Sequence, residues 1–365
     1  MELTFGSLCL GSVSFLGIFL VYVIATGSRT LRNYLITRLL LTIPSVFILV
    51  TLVFIIMRVI PGDPVSATIK PGDERIDELR AELGINKPIH EQYFDYLTGI
   101  VQGDLGESFA LEADRPVLEM IGERLPATLE LVIPAILIML TFGILSGAFA
   151  AHKHKQAPDY SFRLVGIVFY SIPIFWSGLM LQVFFGLTLG LLPTSKRISG
   201  DIAPRIERQT NLLLIDTLLA GDFEAFINVV EHMILPTATL SIALIGVFIR
   251  LTRSNMIEVL QEDYVTAARA RGVPDNRVVY RHALRNSFIP IMTLIGLQVA
   301  ILLGGAVLTE TTFSWPGLGL LLRNGIAQRD FPVVQGVVTV FAIVVAFMST
   351  LTDIIYAFID PRIRY

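Results

Sequence analysis

Along this chain, apolar and polar positions separate into blocks tens of residues long. The runs Leu39–Met57, Leu125–Ala151, Leu164–Leu192, Met233–Ile249, Ser287–Thr309 and Phe331–Thr352 are mostly apolar, and polar stretches divide them. A helix needs about 20 apolar residues to cross the hydrocarbon core of a bilayer, and each run approaches or exceeds that length. A lone segment satisfies its backbone in lipid only as a helix. The pattern therefore predicts an all-α polytopic membrane protein with six core transmembrane helices. A seventh run, Leu8–Thr26, is rich in Gly and Ser; no Lys or Arg precedes it, and Glu2 is the only early charge. An extra uncleaved span within residues 1–28 is expected in preference to a cleaved signal peptide.

Composition agrees with this class. The 365 residues are 53% hydrophobic and only 16% charged, with a mean hydropathy of +0.68, outside the range of soluble chains. Cys9 is the sole cysteine, so no intrachain disulfide forms. Basic residues set the orientation. If Arg29–Arg38, the loops after the second and fourth spans and the C-terminal tail lie inside, those segments carry 15 of the 28 Lys and Arg residues. The two short outer loops then carry 6, and the long segment from Arg58 to Arg124 carries 7 beside an excess of Asp and Glu.

Shorter periodicities lie between the spans. In the outer segment 64–125, Ile76, Leu79 and Leu83 recur at helical spacing before Gly84. Ile89, Tyr93, Leu97 and Ile100 do so after Pro88. A small folded cap is expected there, either a plug or a docking surface, with docking preferred. Pro126 marks the expected start of the second span. Glu130, one turn in, reads as a structural group near the outer end. His152-Lys153-His154-Lys155 reads as an inner-surface anchor, because two histidines without further ligands make a poor metal site. Pro173 interrupts the third span in a way that suits a cavity lining, with Trp176 beside it and Gln298 in the fifth span as companion candidates. Leu212–Ala225 is expected as a short surface helix. Trp315-Pro316-Gly317 is expected as an outer gate turn, with Pro316 and Gly317 at the centre of a type II turn.

The most informative polar island is the loop 253–286. Asp263 is expected to N-cap a short helix Tyr264–Arg271, and Gly272 to end it in the left-handed conformation. Pro274 is expected at the first position of a second helix reaching Arg285. That helix would carry Arg277, Arg281 and Arg285 on one face. Ala267, Ala268 and Ala270 would leave the first helix a low surface for a partner's backbone.

Two short helices around a Gly hinge resemble the cytoplasmic coupling loop of ABC importer permeases. That family's Glu-Ala-Ala, three residues, then Gly is matched by Thr266-Ala267-Ala268 and Gly272, with Thr in place of Glu. Of its later Ile-x-Leu-Pro only Leu284 is retained. Pro61-Gly62-Asp63-Pro64, Gly103-Asp104-Leu105-Gly106, the run Glu310–Gly319, Arg329–Gly336 and Asp360-Pro361-Arg362 are similar to the dipeptide/oligopeptide (peptide/nickel) branch. The likeness covers about Leu31 to Tyr365. It implies a type I ABC importer permease fold over 29–365. It also implies a second homologous permease, two cytoplasmic ATPase subunits and an extracytoplasmic solute-binding protein as partners, with lipid around the spans and no nucleic acid.

The chain contains no G-x-x-x-x-G-K-[ST] phosphate loop, so ATP chemistry would belong to partners. His90-Glu91 lacks the second His of a zinc protease. No catalytic residue, cofactor or metal is expected. The alternatives are a secondary ion-coupled peptide carrier, with Glu130 and Asp353 as coupling groups, and a non-transporting receptor or scaffold. The orientation has a direct test. In a background lacking Cys9, cysteines at Asp114 and Arg205 should react with an impermeant thiol reagent from outside, and cysteines at Lys155 and Asp275 only from inside. Labelling of Asp275→Cys in sealed cells would overturn it.

Overall fold

The computed structural model describes residues 29–59 and 86–359. The candidate N-terminal span, the Pro61–Pro64 turn, the Ile76–Leu83 periodicity and the terminal Asp360-Pro361-Arg362 lie outside the described residues. Among the described residues, twelve α-helices carry the fold. They are α1 (Arg29–Val59), α2 (Ile89–Gln102), α3 (Val117–His152), α4 (Ala157–Ser171), α5 (Ile174–Leu181), α6 (Leu213–Leu219), α7 (Phe223–Val259), α8 (Asp263–Ala270), α9 (Asp275–Arg277), α10 (Leu284–Phe313), α11 (Leu318–Gln328) and α12 (Phe331–Ile359). A two-stranded antiparallel ribbon, β1 (Glu107–Ser108) and β2 (Arg115–Pro116), pairs Glu107 with Pro116 and Ser108 with Arg115.

Five helices, α1, α3, α7, α10 and α12, contain segments long and apolar enough to cross a membrane. The sixth expected span is not straight. Helix α4 and the pair formed by α5 and the π-helical turn Gln182–Thr188 meet at 104°. The break follows from Pro173, which disfavours helical backbone at the residue before it; Ile172 is extended, and Pro173 sits at the N-cap of α5. Helix α3 begins at Val117, well before Pro126, the expected start, so Pro126 and Pro134 lie inside it. The expected surface helix over Leu212–Ala225 is also revised. Helix α6 is shorter, buries Leu213, Asp216 and Thr217, and ends before Asp222 caps α7 through Ala225 N at 3.0 Å.

The core is centred on α7, which lies against α3, α4, α5 and α10. Leu131, Met139, Leu240 and Phe248 are fully buried there. Glycine makes these crossings close. A Cβ on Gly143 would fall 2.5 Å from Phe248 Cβ, and one on Gly147 2.7 Å from Ile249 O. On the other side of α7, a Cβ on Gly246 would fall 2.3 Å from Gly166 O. In lipid, where apolar side chains gain little by leaving the solvent, such backbone-close contacts are what join helices. Helix α1 stands at the edge, burying only Val50, Phe54 and Met57 among its described side chains. It is tied to α12 by Thr42 Oγ1 and Thr350 Oγ1 at 3.1 Å.

The close crossing predicts an asymmetry between glycines. Gly246→Ala should lower the stability of the solubilised protein by about 1–3 kcal/mol, because backbone cannot yield to the new methyl. Gly122→Ala on α3, with nothing within 4 Å of the added atom, should be neutral or slightly stabilising. Thermal unfolding of the two purified variants checks this; equal midpoints would refute the packing account.

Candidate functional site

At the end of the bundle where α3 and α7 finish, the polar loop is built onto the helix ends. Helix α8 buries Val265 and Ala268 against Val278, with Leu260 and Val273 alongside. Val279 and Ala283 extend a second small core with Ala148, Ala151 and Met256 from α3 and α7. Gly272 is left-handed at φ +78, with its amide donating to Arg269 O at 2.9 Å, as the sequence implied. The amide of Val273 donates to Ala268 O at 3.2 Å, which closes the end of α8.

Other expectations for this loop change. Glu262, not Asp263, occupies the N-cap and makes no side-chain cap bond; Asp263 is the first helical residue, where its charge still faces the positive end of α8. Pro274 is itself the N-cap of α9. The second helix is not a separate one. One α-helical turn passes into a π-helical segment, Val278–Ala283, and this runs without interruption into α10. The wider turns break the 3.6-residue register that aligned Arg277, Arg281 and Arg285. All three remain exposed and, among the described residues, none has an ion-pair partner. Thr266, Ala267 and Asp263 are exposed, Ala268 is buried, and Leu284 is half-buried against the core.

One polar contact joins this loop to the bundle, His152 Nδ1 lying 3.5 Å from Asp275 Oδ2, and within the loop Arg269 Nε donates to Asp275 Oδ1 at 3.1 Å. Beside them Asp159, fully buried, takes both Arg253 Nε and Arg253 Nη2 and accepts from Lys155 N at 2.9 Å. His154 Nδ1 stands 3.3 Å from the same carboxylate. The histidine stretch therefore supports structural carboxylates. Among the described residues, no cluster of His, Cys, Asp or Glu is arranged to hold a metal.

The opposite end carries four buried carboxylates, Glu130, Asp216, Glu310 and Asp330; Asp216 accepts from Thr210 N at 2.9 Å and from Thr210 Oγ1 at 2.7 Å. Glu130 accepts from Arg197 Nε at 2.8 Å and Nη2 at 2.5 Å, and from Leu214 N at 2.9 Å. Burial pulls the Arg197 guanidinium below its ordinary value and the Glu130 charge opposes that shift. Glu130 is thus a structural group, and its two oxygens are already engaged. Glu310 accepts from Thr128 Oγ1 at 2.7 Å and from the amides of Gly319 and Leu320, capping α11. Asp330 accepts from Ser108 Oγ at 2.6 Å and from the amides of Ala110 and Leu111 at 3.0 Å, so it clamps the β1–β2 loop onto the start of α12.

The Trp315-Pro316-Gly317 turn lies within this network. Trp315 is fully buried and donates its indole N–H to Ala127 O at 2.8 Å. The turn is not type II. Gly317 is extended, at φ −101 and ψ −170, and its amide reaches back only to Trp315 O, closing a three-residue turn at 2.8 Å. The left-handed residue is Ser314. Gly317 is needed for closeness, since a Cβ there would lie 2.3 Å from Glu310 Oε1. Of the cavity candidates, Pro173 and Trp176 are exposed on the bent pair, whereas Gln298 is buried, with its Oε1 unpartnered.

The cap is partly described. Helix α2 forms where Ile89–Ile100 suggested, ending at left-handed Gly103. Tyr93 meets Phe54 of α1 edge-on at 5.1 Å, Tyr96 stacks on it at 5.6 Å, and the Tyr96 hydroxyl meets Thr339 Oγ1 at 2.8 Å. Burial raises the Tyr96 phenol above its ordinary value. Arg115 gathers Glu112, Glu119 and Glu123, which hold its guanidinium above the ordinary value. Ile89, Phe94 and Val101 face outward.

Sequence reasoning passed over Asp159, Arg197, Arg253 and the Gly143–Gly147 pair. The last had a readable signal, the G-x-x-x-G spacing within an apolar run. Comparison with known proteins gives the same architecture a family. Residues 139–365 match the model for a binding-protein-dependent transport system inner membrane component, and residues 31–132 match that of its N-terminal region. The chain is 44% identical over 338 residues to a di/tripeptide transport system permease of Pseudomonas aeruginosa, covering 91% of this chain and 99% of the relative. It is 42% identical over 339 residues to the dipeptide transport system permease of Escherichia coli K12, with the same coverage. A glutathione transport system permease of Escherichia coli O6:H1 is 36% identical over 335 residues, again covering 91% and 99%. With two family models spanning its helices and relatives aligned along nine-tenths of its length, this multi-pass chain belongs to the inner-membrane permease components of binding-protein-dependent ABC importers, with the type I permease fold.

Proposed function

We propose that this permease pairs with a second, homologous permease to form the path by which di- or oligopeptides enter the cell. On this reading, two cytoplasmic ATPase subunits bind the loop 263–285 and hydrolyse ATP, which this chain does not do itself. An extracytoplasmic binding protein delivers the peptide to the cap formed around α2 and the β1–β2 ribbon. The peptide substrate follows from the relatives' names, and glutathione is the neighbouring choice.

One observation carries the coupling role. The loop is fixed by two small apolar cores to α3 and α7, yet Asp263, Thr266, Ala267, Arg277, Arg281 and Arg285 stand exposed around it. Fixed backbone with free charge and low side chains suits a knob seated in an acidic groove of another subunit. The ribbon clamped by Asp330 and the outward Ile89, Phe94 and Val101 favour the cap as a docking face. The Trp315–Gly317 turn would hold the outer ends of α10 and α11 together while the path opens. Pro173 and Trp176, on the exposed side of the bent pair, are proposed to face that path, with buried Gln298 of α10 as a third lining candidate. An ion-coupled carrier is disfavoured because Glu130, one of its two coupling groups, is consumed by Arg197 and Leu214 N.

Gly272→Val tests the coupling role. No atom lies within 4 Å of the position where a Cβ would be added, so the cost is conformational, about 1–3 kcal/mol for a β-branched residue held at positive φ. That strain should re-angle α8 without unfolding the spans. The expected outcome is normal membrane abundance with peptide uptake reduced at least tenfold, and ATP hydrolysis that no longer rises with substrate. Unchanged uptake at matched abundance would refute the assignment.

A further inference from the structure

A groove between α4 and α7 lies apart from the loop and the outer network. Its volume is about 360 Å³, and its floor is the Gly166–Gly246 crossing, with Ile167 and Tyr170 as walls. Arg163 and Arg250 stand at its rim, both exposed, and among the described residues neither has an ion-pair partner. Arg253, also at the rim, differs, because Asp159 already neutralises it. The Arg250 guanidinium sits 5.6 Å from the Tyr170 ring, and that of Arg163 6.0 Å from the Tyr160 ring. These contacts orient both cations without neutralising them.

Depth is given by the sequence. Arg163 immediately precedes the apolar run Leu164–Leu192, and Arg250 immediately follows the run Met233–Ile249. Two helices running in opposite directions thus bring one arginine each to the same apolar boundary, on the side of His152–Lys155. A guanidinium at that level reaches the interface, where anionic headgroups lie, and tyrosine rings favour the same layer. Below the two charges, the groove offers only apolar walls and glycine backbone. A charged pair above an apolar slot matches a phosphodiester above acyl chains, whereas a peptide carboxylate would need polar groups further down for its amides.

We propose that Arg163 and Arg250 bind the headgroup phosphate of an anionic phospholipid of the inner leaflet, with an acyl chain lying over Gly166 and Gly246. The site does not depend on the coupling assignment. Its test uses the purified full-length protein with any subunits that copurify, delipidated in detergent and titrated with phosphatidylglycerol or phosphatidylcholine under native mass spectrometry. The wild type should retain phosphatidylglycerol at least tenfold more tightly than phosphatidylcholine. Each basic residue contributes about fivefold to attraction by an anionic lipid, so Arg163→Gln/Arg250→Gln should weaken phosphatidylglycerol about 30-fold. The double lysine variant should remain within about fivefold of wild type, which separates lost charge from misfolding. Equal retention of the two lipids by wild type would overturn the proposal, as would an unaffected glutamine variant. Displacement of the lipid by millimolar inorganic phosphate or dialanine would also overturn it, since the site would then belong to a soluble anion.

Discussion

Taking a carboxylate out of water is costly unless donors meet it, and much of the outer half of this molecule is organised around that requirement. Glu130 and Glu310 sit on different helices and Asp330 at the junction before α12, and each is met by amides or hydroxyls from segments distant in the chain. Only Glu130 also has a cation. The other two rely on backbone N–H groups and a hydroxyl, so the path of those backbones is dictated by the acid they surround. The turn between α10 and α11 has its shape because Glu310 occupies the space a side chain on Gly317 would need. The β1–β2 loop has its shape because Ala110 and Leu111 must both aim at Asp330.

The inner half follows a different rule. There the helices approach through glycine at Gly143, Gly147, Gly166 and Gly246, and the single buried ion pair, Asp159 with Arg253 among the described residues, ties the start of α4 to the last turns of α7. The polar loop is laid onto this close-packed base by Val265, Val278, Val279 and Ala283, all fully buried. Apart from Asp275 beside His152, its contact with the base is apolar, and Arg277, Arg281 and Arg285 point away.

Legibility in the sequence divided along the same line. The spans, helix α2 and the left-handed Gly272 were readable because hydropathy, periodicity and C-capping are local properties of the chain. The 104° break was half readable: Pro173 announced an interruption, but the angle depends on what α5 packs against. The acid networks were opaque, since Ser108 and Asp330 are 222 residues apart and Thr128 and Glu310 are 182 apart. Gly317 shows why motif reading misassigned a cause: Pro-Gly is what a type II turn requires, but here a neighbouring carboxylate requires the glycine. The arginine ladder failed for a subtler reason, because a π-helical segment cannot be distinguished from an α-helix by residue type.

That segment has a mechanical meaning. Because Val278–Ala283 joins the loop to α10 with no intervening coil, the loop and the helix form one connecting rod. Its 30 α-helical residues extend about 45 Å, and at the far end Glu310 grips α11 while Trp315, just past the last turn, bonds to α3. On the proposed coupling reading, a push on Arg277 would travel through unbroken helix to Pro290 and, by way of Glu310 and Trp315, bear on the outer turn. The wider helical turns at Val278–Ala283 would, on that same proposed reading, give the rod room to turn about its own axis, so that a push arriving sideways would leave as a twist.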